Sequence, residues 1–447
     1  MSFDTPLFFD AHVHFRQDAA LKMTVPLTAR YSRYAVAMPN TNPPISTGDD
    51  INRYREEILA AVPAGSEFEP IMAMKILPST TSDHIEIAAK CGAKLAKLYP
   101  AGSTTNSQDA VRMYELTDQG WWSNILSALA ANDMILSIHA EDPRVESSRR
   151  EKVFLENISI RDWLMNHPKL KIVIEHLTTA YGVYSVVAWD YDFKGRIAGT
   201  ITLHHLVMTE DDAWGDGVRP HNCCRPPAKL REDRSRLQSA VKDCADDLRQ
   251  CFFLGSDSAP HPIAAKNSDC CANGCFTSPH LPERLANIMS DILPSDKNFV
   301  KAFTRFTSEN GRRFYGLPTN DKKKLRFTKL VSPELVNLSD QMDQANVAYR
   351  VWHPADPETC WTCAVTSAPA VALPGTHYVR FTTRDRTSNL CIGPFAGTVE
   401  LQGNRLVIGG EMVAASQNGY WQPSDGQVSY PFLVIESDED SPEKGVS

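Results

Sequence analysis

The chain has 447 residues, 42% hydrophobic and 22% charged, proportions of an ordinary globular protein that exclude a disordered chain or a coiled coil. Lys and Arg number 46 against 54 Asp and Glu, a formal charge of −8, and no basic run stands out, which argues against nucleic acid or an anionic membrane surface and for a small-molecule partner. No apolar stretch approaches the roughly 18 residues of a membrane span and no basic segment leads into a long apolar one at the N-terminus, while eleven cysteines, with neighbours at Cys223 and Cys224 and at Cys270 and Cys271, read as reduced thiols of a cytoplasmic protein.

In chain order, short apolar runs alternate with amphipathic segments from residue 7 to residue 256, the pattern of βα units on a parallel sheet. The runs are 7–13, 34–38, 70–76, 93–98, 134–138, 171–174, 197–203 and 251–254. Helices are expected over 50–62, 122–131, 160–166 and 234–248. In the first of these, Ile51, Tyr54, Ile58, Leu59 and Val62 share a face behind an Asp at the N-cap position. Eight such strands over about 250 residues is the count of an α/β TIM barrel, (β/α)8. The barrel is assigned residues 1–353, with 313–318 ending the helical pattern and 321–324 a charged connector. Residues 354–435 read as a β-rich C-terminal appendage, with Gly403 and Asn404 as a hairpin turn. Residues 436–447 form an acidic, disordered tail.

The chemistry lies at the strand ends. Alternate residues on a strand share a face, so His12 and His14 in D-A-H-V-H point the same way and suit one metal ion; two histidines hydrogen-bonded at a strand end are the plainer alternative. Lys97, His139, His176 and Asp257 close four further strands. The C-terminal strand ends of a barrel converge on one pocket, so four imidazoles, an amine and a carboxylate are expected to meet there. A lysine among cations is repelled as ammonium. With a depressed pKa it is a free amine that adds carbon dioxide and becomes a bidentate carbamate. The alternative is a lysine that snorkels to solvent.

The motifs D-A-H-V-H-F-R (10–16), M-P-N-T-N-P-P (38–44), A-K-L-Y-P-A-G-S-T-T-N-S (96–107), I-H-A-E (138–141), E-H-L-T-T (175–179), G-V-R-P-H (217–221), G-S-D-S-A-P-H (255–261) and F-Y-G-L-P (314–318) resemble, in order, those of the dihydroorotases of the amidohydrolase superfamily, in their shorter, single-barrel class. The resemblance covers residues 8–353. It implies reversible cyclisation of N-carbamoyl-L-aspartate to L-dihydroorotate in pyrimidine biosynthesis, and two zinc ions per chain. His12, His14 and Asp257 would hold one metal and His139 and His176 the other, with carboxylated Lys97 and a hydroxide bridging them. Asp257 is implied as general base and then acid. Arg16, Asn40 and His261 would take the substrate α-carboxylate, an Arg fork suiting that group. Thr104 and Thr105 are implied as the tip of a closing loop, Arg225 and Asn273 as main-chain contacts to the ring, and a homodimer as the assembly.

The chain departs from the family in N-C-C-R-P-P-A-K (222–229), which places an arginine at the ring contact, and in the appendage. Cys270, Cys271 and Cys275 are read as structural rather than as a zinc knuckle, and Cys360 with Cys363 as a lone C-x-x-C without a second pair. Two rival functions remain: a relative recruited to another cyclic amide or ureide, and an inactive barrel serving as an assembly scaffold. Arg16, Asn40 and His261 weigh against the first, and the complete ligand set against the second.

Overall fold

A computed structural model of the chain describes residues 2–247, 250–293 and 296–329, and the segments 341–344, 347–350, 361–367, 376–382, 389–396, 399–402, 405–408, 411–417, 420–423 and 432–437. These residues fall into two compact units, 1–366 and 367–447.

In the first unit, β1 (Ser2–Pro6) is followed by eight strands, β2 (Phe8–Val13), β3 (Ser32–Ala37), β4 (Glu69–Lys75), β5 (Ala93–Leu98), β6 (Ile135–Ile138), β7 (Lys171–Ile174), β8 (Ile197–Ile201) and β9 (Phe252–Leu254). Strands β2 to β9 pair in parallel in sequence order. Each is an apolar run because helices cover one face and the barrel interior the other. Phe9, Ala11, Val36, Ala73, Leu95, Ile135, Val173, Ala198 and Phe253 fill the interior; their sequence neighbours, such as Phe8, Ala96, Leu136, Ile172 and Phe252, pack outward against the helices. The seam between β9 and β2 is closed at the mouth, where Asp257 N donates to His12 O (2.8 Å) and His14 N to Ser258 O (3.1 Å). Hydrogen bonds that complete the barrel are thus made by the residues expected to bind metal.

The structure revises several local expectations. The helix expected from residue 50 runs Gly48–Ala61, after an earlier helix at Asp18–Ala29, and is capped by Thr47 rather than by an aspartate. Asp50 is its third residue: its amide donates to Thr47 Oγ1 (3.2 Å) while its carboxylate accepts from Thr47 N (3.1 Å), a reciprocal box. Leu59 lies off the buried stripe of Ile51, Tyr54 and Ile58 and is 47% exposed. The helix expected over 234–248 runs Arg231–Asp243. The charged connector instead begins β10 (Lys323–Lys329), which pairs antiparallel with β1. Asp321 just before it accepts from Leu7 N (3.0 Å) and from both Nη atoms of the buried Arg312 (2.7 and 2.8 Å). Trp361–Ser367 joins β1 and β10 as a third strand, so the division between units falls later than residue 353.

In the second unit, Thr376–Thr382 pairs antiparallel with Asn389–Ala396 and with Phe432–Ser437. Val399–Gln402, Arg405–Ile408, Glu411–Gln417 and Tyr420–Pro423 form a four-stranded meander. Gly403, Asn404, Cys360 and 438–447 lie outside the described residues, while Glu436 and Ser437 end a strand. Among the described residues no helix is long and apolar enough to cross a membrane.

Candidate active site

Three backbone irregularities aim side chains into the barrel mouth. Along β2 the odd residues Phe9 and Ala11 face the interior, whereas beyond it the odd residues Val13 and Phe15 face the helices. The parity change coincides with a register shift between Asp10 and Val13. Such a bulge turns a strand by one residue, and here it directs His12 and His14 inward. At the ends of β7 and β9, His176 (φ 40°) and Asp257 (φ 45°) take left-handed backbone conformations, so Glu175 and His176 both reach the mouth. Left-handed conformations cost non-glycine residues of order 1–3 kcal/mol each and gather where function requires them. Arg16 (φ 63°) is a further case. Lys97 and His139 need no such device, being on the interior parity set by Leu95 and Ile135.

The six expected metal ligands are all buried. His14 Nε2 lies 3.0 Å and His12 Nε2 3.4 Å from Asp257 Oδ1, and the ligand atoms of these three residues fall within 4.8 Å of one another. His139 Nδ1 is 3.1 Å from His176 Nε2, and the rings of His12 and His176 are 5.0 Å apart. Lys97 is 0% exposed, so it does not snorkel, and its Nζ has no hydrogen-bond partner among the described residues.

Burial pushes the Lys97 amine down to about 8 and His14 down to about 4, and holds His139 and His176 below the usual imidazole range. Burial alone would raise Asp257, but the hydrogen bond from His14 and the neighbouring His12 hold its carboxyl far below the usual range. Neutral imidazoles, an ionised carboxylate and an amine that sheds its proton near neutrality are the protonation states of metal ligands.

Two carboxylates that motif reading did not assign orient the imidazoles. Glu175 accepts from His12 Nδ1 (3.0 Å), Ser137 Oγ (2.5 Å) and Thr200 Oγ1 (2.7 Å), leaving His12 Nε2 to face Asp257. Glu141 lies 3.2 Å from His139 Nε2, leaving Nδ1 to face His176, and is itself 3.6 Å from Lys229 Nζ. A carboxylate on the far nitrogen of a ligating histidine fixes its tautomer and raises its basicity. The dipeptide E-H at 175–176 and the spacing H-x-E at 139–141 were the available signals.

Above this layer, Arg16, Asn40, Thr104, Thr105, Arg225 and Asn273 line one pocket with His14 and Asp257. His261 stands behind it, with Nε2 2.9 Å from Arg16 Nη2 and 3.0 Å from Asn273 O. Arg16 Nε donates to Pro260 O (2.9 Å). The 99–111 loop is closed over the pocket: Asn40 Nδ2 donates to Thr105 O (3.4 Å) and Asn106 Nδ2 to Asn40 O (3.0 Å). Its base is anchored by the buried Lys75, which donates to Asn106 O and Asp109. Arg225 reaches the pocket from the loop after β8. The Asn273 loop is tied to it through Gly274 N donating to Cys223 O (2.9 Å), and through Lys266 Nζ, which donates to the carbonyls of both Cys223 and Gly274.

Comparison with known proteins agrees with this geometry. Residues 5–320 match the model of a family described as the amidohydrolase family. A dihydroorotase from Pseudoalteromonas atlantica is 39% identical over 333 residues, 74% of this chain and 91% of the relative. A mitochondrial dihydroorotase from Oryza sativa is 37% identical over 70% of this chain and 74% of its own length. Among solved structures, dihydroorotase from Saccharomyces cerevisiae in complex with 5-fluoroorotic acid superposes with a TM-score of 0.71 at 26% identity, covering 82% of this chain and 99% of that one. An L-hydantoinase from Arthrobacter aurescens, at 16% identity and a TM-score of 0.62 over 81% of this chain and 84% of its own, shares the fold.

Proposed function

The chain belongs to the amidohydrolase family and, within it, to the dihydroorotases; on that premise we propose that it interconverts L-dihydroorotate and N-carbamoyl-L-aspartate at a pair of zinc ions held in the barrel mouth. The observation that carries the metal assignment is the orphaned Lys97 amine, buried at 0% exposure among the expected ligands. A buried amine without a partner costs about 1–3 kcal/mol. That cost is explained if Lys97 adds carbon dioxide, losing a proton to become a carbamate, and so presents two oxygens to cations. His12, His14 and Asp257 would hold one ion and His139 and His176 the other, with the carbamate shared. When bound, such a pair supplies Lewis acidity and brings the pKa of water toward neutrality.

The chain's own residues then divide the work. In ring opening, Asp257 accepts the proton of the attacking water at a carboxylate oxygen. The new C–O bond forms at the ring carbonyl, the ring C–N bond breaks, and Asp257 returns the proton to the departing nitrogen. Its depressed pKa favours the accepting state. Arg16 holds the α-carboxylate with Asn40, and His261 supports the arginine from behind. Thr104 and Thr105 shut the pocket against bulk water, which strengthens these charge contacts. Arg225, half-buried and lining the pocket, adds a second guanidinium that favours the open-chain product, a dianion.

Elemental analysis should give at least two zinc ions per chain, as a two-metal hydrolytic site requires. Lys97→Ala should lose turnover and regain part of it with short carboxylic acids that occupy the carbamate's place. Lys97→Ala with full metal content and turnover would contradict the reading.

A further inference from the structure

A second group of metal-type donors lies outside the residues assigned above. His204 and His205 sit on a short turn that follows β8, His204–Leu206, and Cys224 comes from the loop that carries Arg225. All three are buried, and their ligand atoms lie within 4.8 Å of one another, the same closeness that His12, His14 and Asp257 show. Cys275, 0% exposed on the loop that carries Asn273, brings a second thiol next to Cys224, its Sγ now donating to His221 O (3.8 Å). Cys270, by contrast, is exposed, so the sequence run 270–275 does not close a site on its own.

His205 and Cys224 meet at one carbonyl. His205 Nε2 lies 3.0 Å and Cys224 Sγ 3.1 Å from Pro226 O, and the two atoms are 3.7 Å from each other, so two ligand atoms converge where a cation would replace their proton contacts. The far nitrogen, His205 Nδ1, is buried with no partner among the described residues and is left to carry the ring proton once Nε2 ligates. Tetrahedral zinc with bonds of about 2.0–2.3 Å separates its ligand atoms by roughly 3.3–3.8 Å, so the ligand atoms of His204, His205 and Cys224 need draw together by about 1.5 Å at most, with Cys275 swinging in as the fourth.

We propose that His204, His205, Cys224 and Cys275 form a structural zinc site of Cys2His2 type, distinct from the pair in the barrel mouth. On binding, each thiol releases its proton to solvent, and two thiolates neutralise the ion. The ion ties together the turn after β8 and the two loops that bring Arg225 and Asn273 to the pocket, adding to the clamp made by Lys266. Its role is to position those loops; it touches no reacting atom.

The mouth ligands contain no sulfur, which gives the site its own spectroscopic signature. Metal-free full-length protein reconstituted with cobalt(II) should show a near-ultraviolet thiolate-to-cobalt charge-transfer band. Cys224→Ser should abolish that band and leave the visible bands of the sulfur-free site. Zinc content should drop by about one ion per chain in the same variant, from about three, on the ligand counting for such sites. If Cys224→Ser does not fold, Cys275→Ser and His205→Asn test the same claim, since each removes one of the four donors and should weaken or shift the band. Cobalt-loaded wild type without a sulfur band, or a band unchanged in all these variants, would overturn the site. Failure of the mouth assignment reads differently: the sulfur-free bands would be missing while the thiolate band stayed.

Discussion

The two ends of the barrel treat buried charge in opposite ways. At the end where the strands begin, the 0% exposed Arg312 spends its two Nη atoms on Leu7 O, Pro318 O and both oxygens of Asp321, next to interlocked rings of Phe9, Phe253 and Tyr315. At the mouth, Lys97 Nζ and His176 Nδ1 are buried without a hydrogen-bond partner among the described residues and lie among ligand-type side chains, whereas the unpartnered atoms of the first end, Arg312 Nε and Tyr315 Oη, lie beside an ion pair and packed rings. Buried polar groups are normally satisfied; both ends hold exceptions, but only at the mouth do they converge with ligand-type imidazoles and a carboxylate, so the first end is built for stability and the second to receive something. Barrel enzymes as a class keep chemistry at the C-terminal strand ends; here the state of the individual polar atoms shows the division.

Substitutions at the two ends should separate activity from stability. The largest effect is expected at the mouth. Asp257→Asn keeps the shape but cannot accept the proton, and should lower kcat roughly 10²- to 10⁴-fold in both directions. The unfolding midpoint of the metal-free protein should move little. A loss of stability in step with activity would erase the distinction between the two ends. The wild-type enzyme should also show opposed pH limbs, ring opening gaining and ring closure losing rate as pH rises, because closing the dianion to the monoanion takes up a proton that opening releases.

Arg312→Met is the converse test. It strands Asp321 without its partner and should cost about 3–5 kcal/mol of stability in denaturant titration, with kcat per folded molecule unchanged. A folded, equally stable variant would mean the ion pair is dispensable. Smaller again, Arg16→Ala should cost about 2–3 kcal/mol of transition-state binding, roughly 30- to 150-fold in kcat/KM for dihydroorotate, without loss of metal.

The smallest expected effect is a slope. In the metal-free protein the folded Lys97 titrates at about 8, below its ordinary value of 10.5. Between those values the unfolded chain carries a proton that the folded one lacks, so stability should rise with pH through that window. Lys97→Met should flatten this contribution and, by removing an orphaned amine, leave the metal-free protein at least as stable. A less stable, equally pH-dependent variant would contradict the assignment.

Much of this site was legible because the ligands fall at the ends of apolar runs, and runs of that kind become parallel strands. What was not legible depended on single backbone torsions and on long-range partners. Nothing in D-A-H-V-H announces the bulge after Asp10; on an unbroken strand His12 would share the outward parity of Phe8. Glu175 and Glu141 appear in the quoted motifs, yet their task becomes visible only when His12 and His139 are seen to lean on them. Asp321 read as a charged connector because Arg312, its partner, precedes it by a tight turn through Gly316 (φ 68°). The cysteines of 270–275 stand close together in sequence, whereas Cys275 faces Cys224 from a different loop, a pairing between the loops after the adjacent strands β8 and β9 that sequence spacing does not encode.

The most direct test of the central claim compares two substrates on zinc-loaded protein. Dihydroorotate carries the carboxylate that Arg16 and Asn40 are arranged to hold, and dihydrouracil does not, so its binding forgoes that charge-assisted contact. The account predicts efficient ring opening of dihydroorotate, abolished by chelation and restored by zinc, with dihydrouracil turned over far more slowly. Equal turnover of the two, or fully loaded protein that opens neither, would contradict it.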